Sequence, residues 1–237
     1  MRVLAIGLGI LVLATCFGIF WIFVYSRDLP DMNALAPFAP AQGRHVSDPC
    51  IATASVAIPY EAIGNNLRAA LRAAGASEED PGVINEVYRG LSDQAKPHEG
   101  ALSVQISRSM LCAPSTTLRR AVNELRTAAQ LERRFSRKEL FTIFANRVWF
   151  GEGQVGVEAA AQHFFQKKPD QLPVGEAALL AGLIRGPSRL SPYSHPDRAL
   201  QRRNEVIDAM VEAHAIDPKE GETAKASALG AVRTDVP

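Results

Sequence analysis

The chain predicts a mainly α domain set behind one N-terminal membrane-spanning helix. An uncharged apolar run, Val3–Tyr25, stands at the start. From Pro59 onward apolar residues recur at helical spacing, with cap and stop signals between the segments. Strand signals are scarce. The length of 237 residues suits one domain with a real core, and 47% apolar residues is a globular composition. Twenty-six Lys plus Arg against 25 Asp plus Glu leave a net charge of +1, which disfavours a non-specific nucleic-acid binder. Three cysteines cannot build a disulfide-dense scaffold, and no C-x-x-C pair suggests zinc.

The apolar run covers 23 residues, and a spanning helix needs about 20. Arg2 precedes it and Arg27 follows it. Trp21 and Tyr25 sit near its far end, where amphipathic aromatics favour the interface. The exit, Phe23-Val24-Tyr25-Ser26-Arg27-Asp28, lacks a small-residue cleavage site, so residues 1–27 read as an uncleaved anchor. Leu13–Cys16 resembles a lipidation site, but the apolar run continues past it. The terminal amine and Arg2 tip the orientation toward a cytoplasmic N-terminus with the rest translocated. Cys50 and Cys112 then lie in an oxidising space, and whether they pair stays open. Residues 28–55 hold Pro30, Pro37, Pro40, Pro49 and Gly43 without periodicity, which predicts a tether.

A helix opens at Pro59-Tyr60-Glu61, with Ile63, Leu67, Ala70, Leu71 and Ala74 on one face, and ends at Gly75. Ser77–Pro81 reads as a cap and turn before a second helix at about 82–91. Ser115 or Thr116 caps a helix running to about Phe135, with Leu118, Val122, Leu125, Ala129 and Leu131 on its apolar face. Ser136-x-x-Glu139 is a capping box ahead of Leu140, Ile143 and Phe144. Val155–Phe165 and Val174–Ile184 are Ala-rich helices, the latter stopped by Gly186-Pro187. Pro196–His214 is a last amphipathic helix with Leu200, Val206, Ile207 and Met210. The domain is expected to cover 56–215, with a flexible tail over 216–237.

Within Lys138–Pro192, Asn146, Gly151, Gly153, Gly156, Ala159-Ala160, Phe165, Glu176, Leu183, Pro187, Ser188 and Pro192 keep a fixed spacing. Ala-rich helices alone do not explain that glycine spacing. The segment resembles the peptidoglycan glycosyltransferases of glycosyltransferase family 51, which polymerise lipid II. The resemblance extends more weakly over about 56–212. Leu118–Glu132 is similar to the family's Arg-Lys-containing helix: Arg120 and Glu124 match its Arg and Glu, while Ala121 replaces its Lys. Gly100–Ser109 looks like an eroded polar motif in which Ser103, Gln105 and Arg108 keep the Thr, second Gln and Lys roles. Val104 and Ser109 depart from it. The resemblance implies a lysozyme-like transglycosylase domain on the extracytoplasmic face of a bacterial inner membrane. It implies lipid II or nascent peptidoglycan as ligand, with other cell-wall synthesis proteins as partners and no nucleic acid.

The main departure lies earlier. Gly75-Ala76 stands where the family has a Glu-Asp pair, and that Glu is its proposed general base. Chain growth joins a sugar 4-hydroxyl to C1 of a second disaccharide and expels a polyprenyl diphosphate. A carboxylate that takes the hydroxyl proton contributes about 10²–10⁴-fold. The expelled diphosphate needs cationic donors or a metal ion. The resemblance assigns a catalytic role to Glu124 and substrate or diphosphate contacts to Ser103, Gln105, Arg108, Arg120 and Asn146. No residue is assigned as a metal ligand, although the family allows Mg or Mn at the diphosphate. Arg120 and Glu124, one helical turn apart, also fit a plain ion pair, and Asn146 with Gly151–Gly156 also fits a scaffold role. Chemistry eroded on a retained framework predicts a lipid II or glycan-strand binder with lost or weak catalysis. The alternative is an active enzyme using a displaced carboxylate, Glu78, Glu79, Asp80 or Glu124. No S-x-x-K or K-T-G set points to a transpeptidase.

Overall fold

The computed structural model describes residues 57–76, 102–110 and 118–232, together with Thr15 and Gly18, which are helical. The rest of the expected anchor, the tether, the expected helix at 82–91, Glu78–Asp80 and all three cysteines lie outside the described residues. Among the described residues, no helix is long and apolar enough to cross a membrane.

The chain enters through Ile58, passes a 3-10 turn at Tyr60–Ile63, and starts helix α1, Asn65–Ala73. The single helix expected from Pro59 is thus broken at Gly64, which has φ 79°. Gly64 presses on the backbone of a second 3-10 turn, Pro169–Gln171: a Cβ there would lie 2.5 Å from Asp170 Cα. No residue with a side chain fits that approach. The predicted face is the buried one, with Ile63, Leu67, Ala70 and Leu71 fully enclosed.

Helices α2, Leu102–Met110, and α3, Leu118–Arg134, pack on each other. On α3 the buried residues are Asn123, Thr127, Ala128 and Leu131, whereas the expected Val122, Leu125 and Ala129 are half-buried. The reason is position. Helix α3 lies outside α2 and shares with it a small separate cluster, Val104 against Ala128, so only a narrow stripe is sealed. Helix α4, Arg137–Arg147, opens with the expected capping box: Ser136 Oγ accepts from Glu139 N and the Glu139 carboxylate accepts from Ser136 N at 2.8 Å.

After α4 a small antiparallel hairpin forms, β1 Trp149–Gly151 and β2 Gln154–Val155, with Trp149 opposite Val155. Val155, expected to start a helix, therefore ends a strand, and α5 runs Val157–Phe165. Helix α6, Val174–Leu183, is the central element. Every residue but Glu176 is buried, as an all-round apolar helix requires. It packs against α1, α5 and α7, Pro196–Glu212. On α7 the buried line is Ala199, Arg203, Val206, Ile207 and Met210, and Leu200, expected on that face, is 38% exposed.

The tail expected after 215 carries a further helix, α8, Pro218–Ala226, packed on α6 and α7. Asp217 Oδ1 caps it by accepting from Lys219 N and Glu220 N. Arg203, fully buried, donates to Lys225 O and Ser227 O at 2.7 Å and to Ala228 O at 3.3 Å. Beyond α8, Val232 N donates to Phe164 O at 2.8 Å and Tyr193 Oη donates to Val232 O at 3.0 Å.

Candidate functional site

The site lies where α1 stops. Gly75 N donates to Arg72 O at 3.0 Å and Ala76 N to Leu71 O at 2.9 Å, while Gly75 adopts φ 107°. This is the double bond pattern of a Schellman motif, completed by Ala76 packing into the core. Gly75 is therefore a helix terminator, in a conformation that side chains resist. Gln105 Nε2 donates to Gly75 O at 3.2 Å and ties α2 to this corner.

Glu124 sits between two helices. Its Oε2 accepts from Arg108 Nε of α2 at 3.1 Å, and its Oε1 accepts from Arg120 Nε of α3 at 2.7 Å. The Glu124 side chain is 13% exposed, the two arginines 48% and 27%. Among the described residues the cluster is two cations and one carboxylate. A carboxylate with both oxygens already taking guanidinium protons is arranged to position arginines.

The other two assigned residues are used elsewhere. Ser103, 1% exposed, donates through Oγ to Glu132 Oε1 at 2.5 Å and joins α2 to α3. Asn146, 4% exposed, accepts from Ile58 N at 3.0 Å and donates to Ile58 O at 2.9 Å. Its amide imitates a neighbouring strand and holds the entering chain. The structure thus brings Gln105, Arg108, Arg120 and Glu124 together and sets Ser103 and Asn146 into the scaffold.

A cavity of about 220 Å³ opens beside this group, between Ala74 and Ala76 at the end of α1, Gln105 and Arg108 of α2, and the α4–β1 junction. Its walls carry three arginines, Arg108, Arg147 and Arg185, and none of the described residues lining it is acidic. Glu124 itself does not line it. Arg147 Nε is sealed from water without a hydrogen-bond partner, and burial pushes the guanidinium below the ordinary arginine pKa. Trp149, 44% exposed, stands at the same wall. Nothing local in the sequence marks Arg147 or Arg185 as site residues. An arginine in the last turn of a helix complements the dipole and draws no notice.

Among the described residues, the cavity lining offers no carboxylate to the Mg or Mn ion that the family allows. A hard cation takes oxygen ligands, whereas the cavity presents guanidinium groups. Among the described residues no three His, Cys, Asp or Glu side chains gather as a metal site.

The family description that matches the chain is "Transglycosylase", over residues 79–211, beginning just beyond Gly75-Ala76. The chain is 39% identical to penicillin-binding protein 1A of Aquifex aeolicus over 123 residues, 52% of this chain and 17% of that protein. It is 32% identical to penicillin-binding protein 1F of Bacillus subtilis over 149 residues, 62% of this chain and 21% of that protein. A Cupriavidus necator protein named "Putative transglycosylase" is 28% identical over 201 residues, 81% of this chain and 80% of that protein. The chain thus spans about a fifth of the length of the two penicillin-binding proteins.

Proposed function

Because the chain belongs to the transglycosylase family, we propose that its folded domain binds lipid II or nascent glycan strands in bacterial cell-wall assembly, with polymerisation lost or weak. One observation carries this reading. The cavity beside Gly75 is walled by arginines and none of its described lining residues is a carboxylate.

Polymerisation needs two things of a site. A base must take the proton of the acceptor 4-hydroxyl as its oxygen bonds C1 of the donor, and cations must hold the departing diphosphate. A guanidinium serves the second need: its forked N–H groups match phosphate oxygens. It cannot serve the first, because it stays protonated at any working pH. Arg108 and Arg120, fixed by Glu124, retain the holding chemistry. Gly75 contributes only a carbonyl, already accepting from Gln105. Val3–Tyr25 anchors this domain to the inner membrane with the cavity on the outer side, next to a lipid-borne ligand.

The test uses the full chain in detergent with labelled lipid II. Binding without processive glycan strands is expected. Strand formation would overturn the reading, and Glu78→Gln, Glu79→Gln and Glu124→Gln would then locate the working acid.

A further inference from the structure

The three cavity arginines do not share one environment. Arg108 has Glu124 as counter-ion. Arg147 forms no ion pair with any described carboxylate, and its Nε, enclosed in the wall, meets no acceptor. Burying a charged donor without a partner is costly, and native interiors leave few such groups. The adjoining capping duties at the end of α4 fall to the Val148 backbone N–H, which donates to Phe144 O at 2.9 Å. The cavity, at about 220 Å³, holds far more than one water, whose share of liquid volume is about 30 Å³.

We propose that Arg147 is an anion-binding residue of this chain: it takes a diphosphate oxygen in the cavity beside Gly75, across from Arg108 of the Glu124 cluster. The inference rests on the ligand-binding reading above and sharpens it. The described lining of this corner carries three arginines and no acid. Of the arginines in that lining, Arg147 is the one whose buried Nε has no hydrogen-bond partner. Arg147 lines the cavity, and a planar guanidinium fork suits two phosphate oxygens at once.

Calorimetric titration of the full chain in detergent micelles tests this, with inorganic pyrophosphate, farnesyl diphosphate and farnesol as probes. Both diphosphates are expected to bind and farnesol is not. Arg147→Gln should weaken diphosphate binding about tenfold or more, the loss of one charge-assisted hydrogen bond or two. Arg147→Lys, which keeps the charge and loses the fork, should fall between, and it decides the matter if Arg147→Gln fails to fold. Exposed Arg133→Gln is the unaffected control. Binding of farnesyl diphosphate without pyrophosphate, still lost in Arg147→Gln, assigns the anion to a lipid headgroup and supports the proposal. Unchanged affinity in both Arg147 variants overturns it, as does a wild-type chain that binds neither diphosphate. Lipid II held equally by wild type and variants sinks the Arg147 assignment alone. Pyrophosphate bound through Arg147 with no lipid II binding sinks the cell-wall reading alone.

Discussion

Arg203 shows what a buried charge does in this domain when no acid faces it. Its guanidinium is neutralised by the carbonyls at the end of α8, where the helix dipole is negative. Burial alone pushes its pKa below the usual arginine value. Arg203→Met removes the donors and leaves Lys225 O, Ser227 O and Ala228 O poorly satisfied, so urea denaturation should show a loss of about 3 kcal/mol. Arg203→Lys should recover only a minor part, since one ammonium cannot reach all three carbonyls in the plane of a fork. Glu124 makes the contrast. Its pairs with Arg108 and Arg120 are partly exposed, so Glu124→Gln should cost no more than about 1 kcal/mol in the same measurement. A larger loss would mean that the cluster holds α2 to α3 rather than holding arginines for a ligand.

Among the elements, α4 depends most visibly on its first turn. Ser136→Ala should lower stability by about 1 kcal/mol at neutral pH, read by thermal or urea unfolding. The Ser136 backbone N–H and hydroxyl hold the Glu139 carboxyl below its ordinary pKa. A depressed folded value means stability that is complete above the unfolded value, about 4.3, and lost as pH falls through the folded one. The stability gap between wild type and Glu139→Ala should therefore close on acidification below about pH 4, and a gap that widens would refute the box. Helices α1 and α7 were legible in the sequence through their apolar period, α4 through its capping box, and α6 as an Ala- and Leu-rich run stopped by Gly186-Pro187. Helix α8 was not. Its segment, Pro218–Ala226, buries only Gly221 and Ala224, residues too small to mark a face, and its partner Arg203 reads as a surface cation. The break at Gly64 was equally hidden. The apolar period runs unbroken across it, and its cause, the backbone at Asp170, is distant in sequence.

For the whole molecule, α8 and the strap through Val232 make the C-terminal segment a structural part of the domain. A chain cut after residue 215 should unfold at a clearly lower temperature than one ending at 232, because Arg203 would keep its charge and lose its three carbonyl acceptors. Equal melting temperatures would restore the flexible tail of the sequence reading. The candidate site was legible in the same uneven way. The spacing of Arg120 and Glu124 allowed one ion pair, which the structure forms, while a missing acid at Gly75 was only what the family resemblance implied. That Arg108 completes the cluster, that Asn146 faces the entering chain, and that Arg147 lacks a partner are facts between helices, which no local period encodes.

Asn146 grips the backbone of Ile58, and the very next residue is the arginine in the cavity wall. Tension applied to the leading chain would reach that guanidinium through a single peptide unit. Mechanical load on the N-terminal side and occupancy of the anion pocket are thus adjacent links of one line of force, and optical-trap pulling from residue 57 should yield at higher force when pyrophosphate fills the pocket.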